Sequence, residues 1–238
     1  VNDLVDQTRK NLVGVTSVED VRGAGRALVT FSLAVAVQLA ATVLCLGPAS
    51  LASSRKAWVR GAVGAYVWLF RGTPTLLVLL VVWNGLPQLI PALRADWYTP
   101  FLAAFIGLTL VQVAYLTEIM RAALGAVSPG QREAAAALGL HRMQAFRLVV
   151  LPQALRVAVP PLMNEFISLL KATSLATVIS LRELMTVTSY AISASFRFLE
   201  WYAAVLIYYL GMVSLLTVLQ HGLEARLGAA HRRMTERT

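Results

Sequence analysis

Asn164, Ser168 and Lys171 break into an apolar run over roughly residues 160–181. Spaced i, i+4 and i+7, they share one face of a helix. A lysine near the middle of a membrane helix costs about 2.5–3.5 kcal/mol on insertion scales, so it faces a polar cavity or a partner and not lipid. In a cavity its ammonium would attract the carboxylate of a solute, with Asn164, Ser168 and Ser174 extending the polar stripe. The alternative is an interhelical pair, with Glu165 of a neighbouring subunit or with a carbonyl. The Thr173 and Ser174 hydroxyls have a local option too, bonding to their own helix backbone. Gln112, nearer the middle of an earlier apolar stretch, is a second candidate to meet a solute.

Other charges read as mechanical. Glu118 and Arg121 lie three residues apart and can form a local ion pair worth only tenths of a kcal/mol if exposed. They fit a gate or scaffold, as do Tyr115 beside them, Glu165, and Arg71 as a boundary anchor. Nothing suggests catalysis. No Gly-x4-Gly-Lys-Ser/Thr phosphate loop is present, so the chain is not expected to bind ATP itself. Neither a Ser/His/Asp nor a Cys/His arrangement is evident. Cys45 is the single cysteine, and His141, His221 and His231 are scattered, so no disulfide or metal centre is expected.

A polar segment lies between apolar ones, Ser128-Pro-Gly-Gln-Arg-Glu133-Ala-Ala-Ala-Ala-Leu-Gly139 and on to Leu151-Pro152. Ser128 is placed to N-cap a helix with Pro129 at its first position and Gln131 at the capping-box position. Alanines keep that helix thin, so another protein can approach its backbone. Gly139 permits a sharp change of direction. A second, basic amphipathic helix then follows, stopped by Pro152. Glu133 suits the positive end of the first helix. Such a segment is built to dock into a groove on something soluble.

These residues must be positioned by membrane helices. The chain has 238 residues, 58% hydrophobic and 14% charged, with mean hydropathy +0.67, against about 25% charged in soluble domains. Five stretches are long enough to span a bilayer: roughly 27–49, 73–93, 101–121, 160–181 and 201–222. The second is expected to bend at its outer end, at Asn84-Gly-Leu-Pro87, and Pro160-Pro161 are expected to open the fourth. Residues 1–26 form a short external segment, 27–222 the membrane domain with the loop 128–152, and 223–238 a basic tail. Trp58, Trp68, Trp97 and Trp201 fall near the boundaries, as an interfacial belt does. The net charge of +9 reflects Lys and Arg kept on one side of the membrane, not nucleic-acid binding. Arg55, Lys56, Arg60 and Arg71 follow the first span. Arg132, Arg142, Arg147 and Arg156 follow the third, and Arg226, Arg232, Arg233 and Arg237 the last. Positive-inside logic puts the N-terminus outside and the C-terminus and the 128–152 loop in the cytoplasm.

The spacing Glu133-Ala134-Ala135, Gly139, Val149, Leu151-Pro152 resembles the EAA coupling loop of ABC importer permeases, with Val149 where that family usually has Ile. Phe70-Arg-Gly-Thr-Pro74, Ala114-Tyr115-Leu-Thr-Glu118-Ile-Met-Arg121, Pro129-Gly-Gln-Arg-Glu133 and Asn164-Glu-Phe-Ile-Ser-Leu-Leu-Lys171-Ala-Thr-Ser174 extend the likeness to the polar amino acid branch. The resemblance implies an all-α type I importer permease in the bacterial cytoplasmic membrane. It implies a second permease subunit, identical or homologous, two ABC ATPases that bind ATP and magnesium, and an extracytoplasmic solute-binding protein. Glu133, Ala134, Ala135, Gly139, Leu151 and Pro152 would take up ATPase motion. The implied cargo is a polar or charged amino acid, or a derivative such as an opine. Ala172, where the branch has an acid, and Val111-Gln112-Val113, where it has small polar residues, depart from the pattern. A gradient-driven transporter or channel, and a membrane scaffold that only anchors an ATPase, are the competing classes.

Overall fold

The computed structural model describes residues 19–52 and 54–235. Residues 1–18 of the expected external segment and residues 236–238 of the tail lie outside the described residues. Every regular element among the described residues is helical. Helix α1 (Glu19–Leu44) breaks at Cys45 and continues as α2 (Leu46–Leu51). Helix α3 (Ala57–Gly72) leads into α4 (Thr75–Leu80), a π turn at Val81–Gly85, and α5 (Leu86–Leu89). A 3₁₀ turn (Pro91–Arg94) precedes α6 (Pro100–Gly125). Then come α7 (Pro129–Ala137), α8 (Arg142–Ala145), a second π turn (Phe146–Val150) and α9 (Leu151–Ala172). A 3₁₀ segment (Thr173–Ile179), α10 (Leu184–Ser195) and α11 (Phe198–Thr235) complete the chain.

Four helical stretches are long and apolar enough to cross a membrane: Ala24–Leu51, Pro100–Gly125, Arg142–Ile179 and Phe198–Arg226. A fifth is the pair Ala57–Gly72 and Thr75–Leu89, bent by 102°. Helix α6 is the centre, apolar over most of its surface as a largely surrounded helix is, and it packs against α1, α3, α4 and α9. It starts cleanly because Pro100 needs no amide partner there and the Thr99 hydroxyl accepts the Leu102 amide at 3.3 Å. At Gly107 a Cβ would meet Leu79 Cδ2 at 3.1 Å, so glycine sets the approach of α4.

Several expectations are corrected. Residues 57–72, read as belonging to a basic loop, form α3, which buries Val67 and packs on α6. A bend of 102° falls at Thr73-Pro74, at the start of the expected second span, because a residue before proline is pushed out of the α region; Thr73 is extended (φ −92°, ψ 132°). Pro160 and Pro161 lie inside α9 instead of opening it, and Pro152 sits in the first turn of α9 instead of stopping a helix.

The two π turns share a construction. Each is followed by Leu-Pro, Leu86-Pro87 and Leu151-Pro152, and in each the leucine amide reaches back five residues, to Val81 O and Phe146 O. In a regular α-helix a proline ring clashes with the carbonyl four residues earlier. Widening the preceding turn relieves that clash without ending the helix.

Candidate functional site

The loop joining α6 to α9 is built by its caps. The Gly139 amide donates to Ala136 O at 2.9 Å and the Leu140 amide to Ala135 O at 3.1 Å. These are the paired bonds of a Schellman ending, and they require a left-handed residue; Gly139 supplies it with φ +77°. Ser128 occupies the N-cap position of α7 but its hydroxyl caps nothing, so the expected capping box is absent there. The reciprocal bond appears at the start of α8 instead, where Gln144 Oε1 accepts the His141 amide at 3.1 Å. The expected second amphipathic helix is only one turn of α8, which runs through the π turn into α9.

Alanine 135 explains how the loop is held. It is the buried residue of α7, which packs against the second π turn. Arg132 donates to Leu124 O at 3.0 Å and Gln153 to Gln131 Oε1 at 3.2 Å. Helix α7 is thereby fixed to the ends of both α6 and α9. Its other face is free: Glu133, Ala134, Ala136 and Ala137 are exposed, as are Gly139 and Pro152, while Leu151 is half-buried. Leu138 (81% exposed) and Leu148 (67%) stand out as apolar knobs on a polar loop.

Arg71, Tyr115, Glu118, Arg121 and Glu165 come together from three helices. Arg121 grips Glu118 through two bonds, Nη2 to Oε2 at 2.8 Å and Nε to Oε1 at 3.1 Å. The Arg71 guanidinium lies 5.2 Å from the Tyr115 ring centroid, within cation–π range. Arg71 is also the positive charge that acts on both Glu118 and Glu165.

The path candidates divide. Gln112 is buried between helices, donating Nε2 to Gln38 Oε1 of α1 at 3.0 Å. Asn164, Ser168 and Lys171 all lie on the open face of α9, while the adjacent Leu169 and Leu170 turn into the core. Asn164 Oδ1 accepts Gln220 Nε2 of α11 at 3.1 Å. The Lys171 ammonium makes no hydrogen bond or ion pair among the described residues. Thr173 and Ser174 bond to their own helix, to Leu170 O and Lys171 O, each at 2.7 Å. No group of His, Cys, Asp and Glu suited to a metal occurs among the described residues.

Sequence reasoning missed Gln38, Gln220 and, most of all, Glu183, Thr30 and Thr186. Glu183 caps α10 by accepting the Thr186 amide at 2.7 Å. No usual start signal marked it, because Glu183-x-x-Thr186 reverses the capping-box order.

Residues 44–229 match the family described as "Binding-protein-dependent transport system inner membrane component". The chain is 44% identical over 166 residues to the Vibrio harveyi protein named "Probable amino-acid ABC transporter permease protein PatM", covering 70% of this chain and 74% of that one. It is 37% identical over 171 residues to the glutamine transport system permease protein GlnP of Escherichia coli (strain K12), covering 71% and 77%. The octopine transport system permease protein OccM of Rhizobium meliloti is 38% identical over 190 residues, with 78% and 75% covered. Among solved structures, an amino acid ABC transporter crystallised with histidines superposes with a TM-score of 0.77 at 30% identity, covering 86% of this chain and 93% of that one. The inward-facing MetNI methionine ABC transporter shares the fold, with a TM-score of 0.74 at 20% identity over 89% and 99%. The chain therefore belongs to the inner membrane components of binding-protein-dependent transport systems, and is a multi-pass permease subunit.

Proposed function

We propose that this permease forms half of the membrane portion of an ATP-driven importer whose cargo is a polar or charged amino acid, or a derivative such as an opine. A second permease subunit, identical or homologous, closes the path. Two ATPase subunits bind ATP and magnesium and dock on the 128–152 loop, and an extracytoplasmic solute-binding protein delivers the cargo. The observation that carries this reading is the pairing of a loop locked to α6 and α9 with an unpaired Lys171 on the open face of α9.

The mechanics follow from the locks. An ATPase groove would take the thin face of α7 and the knobs Leu138 and Leu148. Closure of the ATPases would then move α7, and Ala135, Arg132–Leu124 and Gln131–Gln153 would pass that motion to both spans. Rigid spans rock, and the polar face of α9 turns between outward and inward access. The cluster of Arg71, Glu118, Arg121 and Glu165 ties α3, α6 and α9 together at charged contacts that can exchange partners as a gate. The surplus of basic residues around α3 and in the loop supports a cytoplasmic placement for both. Lys171 would meet the carboxylate shared by amino acids and opines, and the solute-binding protein would choose among them.

Uptake into vesicles holding the assembled complex, with glutamine, arginine and octopine as probes, tests the proposal. ATP-dependent accumulation of one of them is expected. Absence of uptake for every amino acid and opine would overturn the cargo, and flux through the permease alone without ATP would overturn the drive.

A further inference from the structure

Glu183 is the only fully buried carboxyl among the described residues, at 0% exposure. It lies between the 3₁₀ segment after Lys171 and the start of α10, outside the membrane-crossing stretches. Burying an ionised carboxylate demands a counter-charge or several donors. Around Glu183 the counter-charge is missing, and both nearby hydroxyls have backbone carbonyls to donate to instead.

The donors can be counted. Glu183 Oε1 lies 2.7 Å from the Thr186 amide and 3.1 Å from Thr186 Oγ1. Thr186 Oγ1, however, has one hydrogen and sits closer, at 2.6 Å, to Leu181 O. Glu183 Oε2 lies 3.3 Å from Thr30 Oγ1 of α1, whose single hydrogen is equally well placed for Arg26 O at 3.2 Å. Thr30 Oγ1 also accepts the Leu184 amide at 3.2 Å. If both hydroxyls serve the backbone carbonyls, an ionised carboxylate keeps only backbone donors, the Thr186 amide at 2.7 Å and the Met185 amide beside it. A neutral acid completes every contact. Its Oε2–H donates to Thr30, Thr30 donates to Arg26 O, and Thr186 donates to Leu181 O.

The surrounding charges agree. From α1, the Arg26 guanidinium is taken by Arg182 O at 3.2 Å, and Arg182 itself is exposed. From α11, the titratable group facing Glu183 is the Tyr209 phenol, whose buried oxygen has no hydrogen-bond partner. No ion pair to Glu183 exists among the described residues, and desolvation by burial pushes its carboxyl above the ordinary range.

We propose that Glu183 is a proton-bearing positioning residue, held as the neutral acid, that fastens α1 to α10 just beyond the segment carrying Lys171. At low pH the acid is neutral in the folded and the unfolded chain alike, and the fastening is complete. As pH rises past the ordinary carboxylate range, the unfolded chain loses this proton first, so stability falls until the folded Glu183 ionises too.

The test uses the full chain assembled with its partners in bilayer nanodiscs. At neutral pH, the infrared spectrum of wild type minus Glu183→Gln should show the C=O stretch of a protonated carboxylic acid. The wild-type Tm should fall as pH rises from about 5 to about 9, and Glu183→Gln, which donates to Thr30 as the neutral acid does, should flatten that fall. Glu183→Ala should lower Tm at every pH. If Glu183→Gln does not assemble, Thr30→Val decides: losing the acceptor should move the fall in Tm to lower pH. A missing carboxylic-acid band, or a wild-type fall that neither variant alters, overturns the proposal.

Discussion

Lys171 and Gln112 are both polar residues set into spanning helices, and the fold treats them oppositely. Gln112 turns inward and finds another carboxamide, Gln38, at 3.0 Å. Lys171 stays on the open face with its ammonium unpartnered among the described residues, beside Ser168 and in line with Asn164. A buried amide that is satisfied belongs to the scaffold. A membrane-embedded ammonium left unsatisfied must be answered from outside the chain, by solute, water or a second subunit. Polarity in the sequence therefore marks candidates, and the direction of the side chain separates them.

The contrast breaks first at Lys171. Lys171→Ala should remove one charge-assisted contact, about 1.5–3 kcal/mol, so uptake per assembled complex should fall on the order of ten- to a hundredfold while Tm and assembly hold. Equal losses in assembly and uptake would instead make Lys171 a structural residue. Gln112→Ala should do the reverse. It orphans Gln38 at a cost of about 1–3 kcal/mol, seen as a lower Tm, with uptake per folded complex unchanged. Gly139→Ala sharpens the comparison from a place that touches neither. A Cβ in the left-handed region costs roughly 1–2 kcal/mol, and the expected readout is weaker ATP-stimulated transport with solute binding intact. Glu118→Gln removes a partly exposed ion pair one turn apart and should change stability by only about 0.2–0.5 kcal/mol, detectable as a change in the salt dependence of Tm.

What could be read from sequence was local. The loop's glycine, its thin alanine face and the stripe at 164, 168 and 171 follow from spacing along one helix, and the structure keeps them. Helix α3 was hidden because Gly61, Gly64 and several cations gave it the look of a connection, although its burial on α6 makes it a helix. Pro160 and Pro161 suggested a helix start because proline lacks an amide, yet packing on both sides carries α9 through them. Glu183 was out of reach altogether. Its bond to Thr30 joins residues 153 apart, and no pattern within a single helix reports such a partner.

The paired π turns have a consequence for length. Each holds one residue more than the α-helix around it would use, and a single-residue deletion inside Val81–Gly85 or Phe146–Val150 would restore ordinary winding with both flanks still in phase, at the cost of the proline clash the wide turn relieves, about 3 kcal/mol. The same deletion elsewhere in the continuous stretch Arg142–Ile179 would rotate everything beyond it by about 100°, carrying Lys171 off its face. These two turns are thus the places where the chain can lose a residue without rotating the helix that follows.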